Sequence, residues 1–200
     1  GRARFEGETL LVDGQPLHAG KVIIATGAVP AIPDIIGIAD VPILTSTTAL
    51  ELNERPRSLL VIGGGYIGCE LAQMFARLGT EVTLVTRSRL LSEAEPEVSE
   101  ALTNYLRDEN IAIRTSLNYI GIVGHDAGVA LTIIAGGREE VIMADQVLAT
   151  TGRTPNTEGM CLAEAGIRTD AGGAVIIDDR MRTTRAGVYA AGDVTGRDQF

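Results

Sequence analysis

Positive charge is scarce in this sequence: 17 Lys and Arg residues stand against 26 Asp and Glu, a net charge of -9 at pH 7. That balance repels a nucleic-acid backbone or an anionic membrane surface, so neither is expected as a partner. No apolar run approaches the roughly 18 residues needed to span a bilayer. The opening Gly1-Arg2-Ala3-Arg4-Phe5 lacks the apolar stretch of a secretion signal, and a cytoplasmic location is the resulting expectation. Cysteine is nearly absent. Cys69 and Cys161 lie far apart and match neither a metal-ligand cluster nor a disulfide framework, which leaves them as reduced, structural thiols and no metal site to expect. His18 and His125 fall beside turn residues and read as surface histidines.

What is present is enough apolar material, 45% of 200 residues, to bury a core. Thr9–Val12, the turn Asp13-Gly14 and the apolar run 21–25 suggest a hairpin. Val29-Pro30-Ala31-Ile32-Pro33 resists both helix and central strand and reads as an extended crossover, with a domain boundary near residue 40. Residues 45–52 can form a short helix capped by Thr45 or Ser46. Ser58–Ile62 is a continuous apolar run, as in a parallel strand covered on both faces. Ile67, Leu71, Met74, Phe75 and Leu78 then recur at helical spacing up to Gly79, and residues 81–86 supply the next strand of a βαβ unit. A second helix is expected over 96–110, with Val98, Ala101, Leu102, Tyr105 and Leu106 facing inward, followed by a strand at 111–114. Glycine-separated apolar runs between 117 and 143 read as antiparallel strands, and 147–150 closes the module. Beyond it, 174–177 and Val188–Ala190 are short strand candidates with too little around them for a core of their own.

Gly63-Gly64-Gly65-Tyr66-Ile67-Gly68 fits GxGxxG between a predicted strand and a predicted helix, the setting in which this pattern binds a dinucleotide. Gly63 permits the tight turn, Gly65 lets a pyrophosphate approach the backbone, and Gly68 lets helix and strand pack closely, while amides at the helix start receive the anion. At the end of the second strand an acid would bind ribose hydroxyls and repel a 2′-phosphate. Here Thr86-Arg87-Ser88-Arg89 offers no acid but two guanidinium groups and a hydroxyl, which favours NADP over NAD.

Four sequence blocks together resemble the pyridine nucleotide-disulfide oxidoreductases, a family of FAD flavoenzymes. They are Ala25-Thr26-Gly27-Ala28-Val29-Pro30, the loop 63–70, Thr151-Gly152-Arg153-Thr154-Pro155-Asn156 and Val188-Tyr189-Ala190-Ala191-Gly192-Asp193. Within the family, residues 71–79 and 192–200 are most similar to the mercuric reductases. The resemblance implies a Rossmann-like NAD(P)-binding domain, with a βαβ core and an antiparallel β-meander, over 41–152, flanked by partial FAD-domain segments at 1–40 and 153–200. It also implies that Asp193 contacts the flavin's ribityl chain, that Tyr66 covers the nicotinamide pocket, and that Glu70 lies near the site of hydride transfer. Gly27, Ile67, Gly152 and Arg153 join the cofactor-binding set. Read without the resemblance, Tyr66 and Glu70 are equally first-turn helix residues and Asp193 a turn or cap residue.

The family's amino-terminal FAD loop, its CxxxxC pair, and its carboxy-terminal His-Glu base or terminal cysteine pair are not found in these 200 residues. The chain is therefore expected to be the central portion of a homodimeric, FAD-dependent enzyme, inactive by itself. In that enzyme NADPH reduces FAD, and a cysteine pair then reduces Hg(II) or a disulfide. Relatives such as dihydrolipoyl dehydrogenase or glutathione reductase remain open, as does a different class, a nucleotide-binding or sensing module without redox chemistry.

Overall fold

The computed structural model describes residues 1–125 and 128–197, which fall into two compact units. One joins Gly1–Val29 to the chain from Arg153 onward, and the other is Pro30–Gly152. The second unit starts at Pro30, and the chain bonds within that unit at once. The Ala31 amide donates to the Gly152 carbonyl at 3.0 Å, and the Ile122 amide to the Ile36 carbonyl at 2.8 Å.

In the first unit β1 (Ala3–Glu6), β2 (Thr9–Val12) and β3 (Gln15–Leu17) form an antiparallel sheet. Asp13 and Gly14 both take positive φ, 50° and 79°, the pattern of a tight two-residue hairpin turn. Such a turn returns the chain immediately, so β2 pairs with β3 and not with the run at 21–25. That run instead contributes β4 (Val22–Ile24), and β5 (Ala28–Pro30) follows it.

The second unit is laid down as β6 (Ile43–Leu44), α1 (Ser46–Ala49), β7 (Ser58–Ile62), α2 (Tyr66–Arg77), β8 (Glu81–Val85), α3 (Pro96–Asp108) and β9 (Ala112–Arg114). Three longer strands follow, β10 (Leu117–His125), β11 (Gly128–Ala135) and β12 (Arg138–Ala144), and then β13 (Gln146–Ala149). Thr45 starts α1 with a reciprocal capping box to Thr48. β6, β13, β7, β8 and β9 make a five-stranded sheet in that order, every pair parallel. The strands β10 to β12 make a separate antiparallel meander.

Strand alternation explains why Ser58–Ile62 is apolar throughout. Leu59 and Val61 turn to one face, against Leu71, Phe75 and Leu106 of the helices; Leu60 and Ile62 turn to the other, against Ile122, Leu131 and Ile133 of the meander. All four strand residues are fully buried, each stabilising the fold by about 1.5–3 kcal/mol relative to exposure. α2 behaves as its spacing predicts through Phe75, but Leu78 is exposed because the helix is already ending there. Gly79 takes φ 88° and the Thr80 amide closes back on the Phe75 carbonyl at 3.0 Å. In α3 the inward face is narrower than expected. Leu106 and Ser99 are buried and Leu102 partly so, whereas Val98, Ala101 and Tyr105 are exposed, since α3 covers only the β9 margin of the sheet.

The chain returns to the first unit as β14 (Arg153–Pro155), which pairs with β5, and ends in β15 (Val188–Ala190), which runs parallel to β4. Residues 174–177 do not form a strand. Only Val175 makes a bridge, to Thr169, while its amide and that of Ile176 bond to the Val194 and Arg168 carbonyls in different directions. A core does form here, because residues from the start of the chain complete it: Phe5 and Ile24 pack with Leu162, Ile167, Val188 and Val194. No helix among the described residues is long and apolar enough to cross a membrane.

Gly68 stands where α2 meets the end of β7, and a Cβ there would strike the Gly63 carbonyl and lie 2.7 Å from Thr150 Oγ1. Gly68→Ala should destabilise the second unit by about 1–3 kcal/mol through overpacking. A lowered unfolding temperature in circular dichroism is the expected reading, and an unchanged one would show that helix and strand have room to separate.

Candidate functional site

The glycine loop lies at the carboxyl end of β7, the central strand of the parallel sheet. From β7 the chain crosses through α2 to β8 on one side, while β13 lies on the other. This is a topological switch point, where an open α/β sheet leaves a crevice. The three motif glycines are not equivalent. Gly63, at φ 119°, would drive a Cβ into the Thr150 carbonyl, and Gly68 would drive one into Gly63, so both are demanded by packing. A Cβ at Gly65 would meet nothing within 4 Å. Open space in front of the first turn of α2 is thus available to a ligand, and the amides of that turn have no intrahelical acceptors.

Tyr66 follows on this first turn with its side chain largely in solvent, 67% exposed. Ile67 is partly buried against the helix-side core. Glu70 is exposed one turn along and lines a shallow concavity with Gln73, Met74, Arg77 and Leu78. Gly152 ends the same unit at φ 122°, two residues beyond Thr150. Thr150 itself binds both strand ends: its amide donates to the Ile62 carbonyl at 2.8 Å, and its hydroxyl reaches the Ile62 and Gly63 carbonyls, each at 3.1 Å.

At the end of β8, Arg87, Ser88 and Arg89 are all exposed. Arg89 differs from Arg87 in that one of its nitrogens, Nη2, donates to the Ser92 carbonyl at 2.9 Å and to the Ala94 carbonyl at 2.6 Å. Tyr119, from the meander, donates its hydroxyl to the Val85 carbonyl at 3.2 Å beneath this edge. Burial pushes its phenol up to about 12, slightly opposed by the nearby Arg87 charge, so it remains a neutral donor. Sequence patterns did not single out Tyr119 or Thr150, whose contacts join segments 34 and 88 residues apart.

Gly27, Arg153 and Asp193 lie in the first unit. Gly27 takes φ 70°, and its carbonyl accepts from the Asn156 amide at 2.9 Å. Arg153 Nη2 donates to the Ala28 carbonyl at 2.5 Å, while its Nε comes to 3.5 Å from Asp193 Oδ2. That separation does not satisfy Nε, a buried donor without a hydrogen-bond acceptor. Asp193 opens a single 3-10 turn directly after Gly192, at φ 78°. Arg153 and Asp193 are thus brought together across 40 residues of sequence. Asp198, Gln199 and Phe200, from the run similar to mercuric reductases, lie outside the described residues.

Both cysteines are free thiols. Cys69 is buried behind the loop with its Sγ 3.8 Å from the Gly64 carbonyl, and burial, aided by the Glu70 charge, pushes its thiol up to about 11. No group of His, Cys, Asp and Glu among the described residues is arranged to hold a metal. At pH 8 iodoacetamide should label the half-buried Cys161 and spare Cys69, which stays protonated and covered until the chain unfolds. Mass spectrometry of native and denatured samples checks this; equal labelling in the native state would mean that the loop opens readily.

Comparison with known proteins agrees with this geometry. Residues 1–199 match the family model described as pyridine nucleotide-disulphide oxidoreductase. The chain is 46% identical to a mercuric reductase of Staphylococcus aureus, across 100% of its own length and 37% of that protein. It is 40% identical to a mercuric reductase of Streptomyces lividans, across 96% of itself and 41% of that protein. The solved structure of the HOCl-induced flavoprotein disulfide reductase RclA from Escherichia coli matches with a TM-score of 0.89 at 34% identity, covering 100% of this chain and 46% of that one. The chain therefore spans less than half the length of each of these relatives. With the family model matched over residues 1–199 and the Rossmann-like fold shared, this chain belongs to the pyridine nucleotide-disulphide oxidoreductase family and is similar to its mercuric reductases.

Proposed function

We propose that the chain binds NADPH along the loop 63–68 and forms the nucleotide-binding part of a flavin-dependent reductase whose final acceptor is Hg(II) or a disulfide. The observation that carries this reading is the contrast among the motif glycines. Gly63 and Gly68 are closed by packing, while Gly65 faces open space beside a helix start. Packing alone has no use for a glycine at that third position, whereas a pyrophosphate approaching the backbone does. Arg87 and Ser88 at the end of β8 supply charge-assisted and neutral hydrogen bonds for a 2′-phosphate, and no acid stands there to repel it.

Within the same reading Tyr66 shields the nicotinamide end of the bound nucleotide from water, and Glu70, one turn further along α2, orients that end. Gly27, Arg153 and Asp193, all in the first unit, belong to the flavin side. The orphaned Nε of Arg153 and the adjacent Asp193 carboxylate are the kind of polar pair that a ribityl hydroxyl satisfies, so the residues present fit the cofactor. When bound, the nicotinamide supplies a hydride and the flavin accepts it. The cysteine pair belongs to other parts of such an enzyme, since Cys69 is covered and Cys161 lies far from it in sequence. A cytoplasmic homodimer is the setting we assign to the whole.

Isothermal titration with NADPH and NADH tests the reading. NADPH should bind more tightly, and Arg87→Ala should weaken it by about 1.5–3 kcal/mol while leaving NADH nearly unaffected. Equal affinity of the unaltered chain for both cofactors would remove Arg87 from the 2′-phosphate. Gly65→Val should abolish binding of both with circular dichroism unchanged, because its side chain enters ligand space and not the core. Retained affinity in that variant would show that the loop is not the pyrophosphate site.

A further inference from the structure

The stretch between β8 and α3 bonds back onto the glycine loop through an ordered series of contacts. The Leu91 amide donates to the Gly64 carbonyl at 2.7 Å. Leu90 is fully buried, and its side chain sits so close to Gly64 that a Cβ there would come within 2.8 Å of Leu90 Cδ2. Each flank of this pair is tied down. The Leu90 carbonyl accepts from the buried Ser99 hydroxyl of α3 at 2.6 Å, and the Leu91 carbonyl accepts from the Ala94 amide at 2.8 Å. Leu91 takes φ 44°, a left-handed conformation that a leucine adopts only when its surroundings hold it there. Arg89 closes the strap, with Nη2 on the Ser92 and Ala94 carbonyls at 2.9 and 2.6 Å.

The peptide bond transmits this constraint. A trans peptide is planar, with its C=O and N–H pointing in opposite directions. Holding the Gly64 carbonyl against the Leu91 amide therefore aims the Gly65 N–H away from Leu91. Gly65 is exposed, with open space where its side chain would be. An amide held in one orientation costs an incoming anion less ordering than one free to rotate.

We propose that Arg89 is a positioning residue for the anion-binding loop, acting through the strap 89–94 to aim the Gly65 amide, and not a contact to the 2′-phosphate. A single nitrogen, Nη2, donates to both carbonyls, an arrangement that the three N–H donors of a lysine can reproduce in part. Arg87 and Arg89, two residues apart, thus do different work: one discriminates between nucleotides, and the other shapes a loop that serves NADPH and NADH alike. The nucleotide part of the test rests on the proposed cofactor; the strap itself does not.

The test compares the 200-residue chain with Arg89→Ala, Arg89→Lys and Ser99→Ala. Ser99 is 3% exposed and touches no nucleotide, so its variant loosens the strap without altering a ligand contact. Without nucleotide, hydrogen exchange of the Leu91 amide should quicken about tenfold or more in Arg89→Ala and Ser99→Ala, and the Gly65 amide resonance should shift. Amides of β11 and β12 should stay unchanged, and Arg89→Lys should return part of the protection. Titration should then show both NADPH and NADH weakened by a similar factor of about ten in Arg89→Ala, with their ratio preserved. Leu91 exchange and a Gly65 resonance that do not respond in either strap variant overturn the proposal. So does a loss confined to NADPH in Arg89→Ala, which makes Arg89 a phosphate ligand. An unaltered chain that binds neither nucleotide counts against the proposed function alone, while the exchange measurements still decide the strap.

Discussion

Three main-chain segments converge at the carboxyl end of β7 with no room for a side chain between them: the strand end at Gly63, the first turn of α2 at Gly68, and the end of β13 at Thr150. Thr150 holds the junction by bonding through both its amide and its hydroxyl to the Ile62 and Gly63 carbonyls. Everything specific to the site follows from that approach. α2 can begin only where the glycines allow, its first amides emerge beside the crevice, and Gly65 is left as the one motif glycine with free space in front of it. Close packing and ligand access are consequences of a single arrangement, since moving the helix outward to admit a larger residue at Gly68 would displace the same amides.

The parallel sheet keeps this junction rigid. Its central strands are buried on both faces, by the helices on one side and by the meander on the other. Burial on both sides explains why the site is made from strand ends and not from strand faces: only at the ends does backbone reach solvent. The meander does more than cover the sheet, because Tyr119 reaches from β10 to the end of β8 and ties the edge that carries Arg87. A buried phenol that stays neutral holds that edge without adding charge to it.

Segments with local signals were legible from sequence. β7, the start of α2, the βαβ unit and the antiparallel run after residue 117 all follow from periodicity and glycine placement. Local signals mislead where the deciding partner is distant. The run 21–25 looks like a hairpin strand, yet it pairs in parallel with Val188–Ala190, more than 160 residues later. Tyr105 and Val98 have the spacing of an inward face, but α3 lies at the margin of the sheet and leaves them in solvent. Residues 174–177 are apolar enough for a strand, but they are held by bonds to Arg168 and Val194 in place of a ladder.

The sequence by itself determined the chemistry on offer: a glycine pattern between strand and helix, cations without an acid at the next strand end, and two cysteines far apart in the chain. These properties are read over a few consecutive residues, because backbone sterics and formal charge are local. Tertiary structure alone decided which of those groups are available. Arg87 and Arg89 are indistinguishable as letters, but one remains at the open edge while the other is turned onto the Ser92 and Ala94 carbonyls. Gly63, Gly65 and Gly68 are likewise one residue type, separated into two closed positions and one open position by Thr150, which enters the site 82 residues after Gly68 in the chain. Hydrogen-bond partners and free volume depend on what the rest of the fold brings near, and no short window of sequence contains that information.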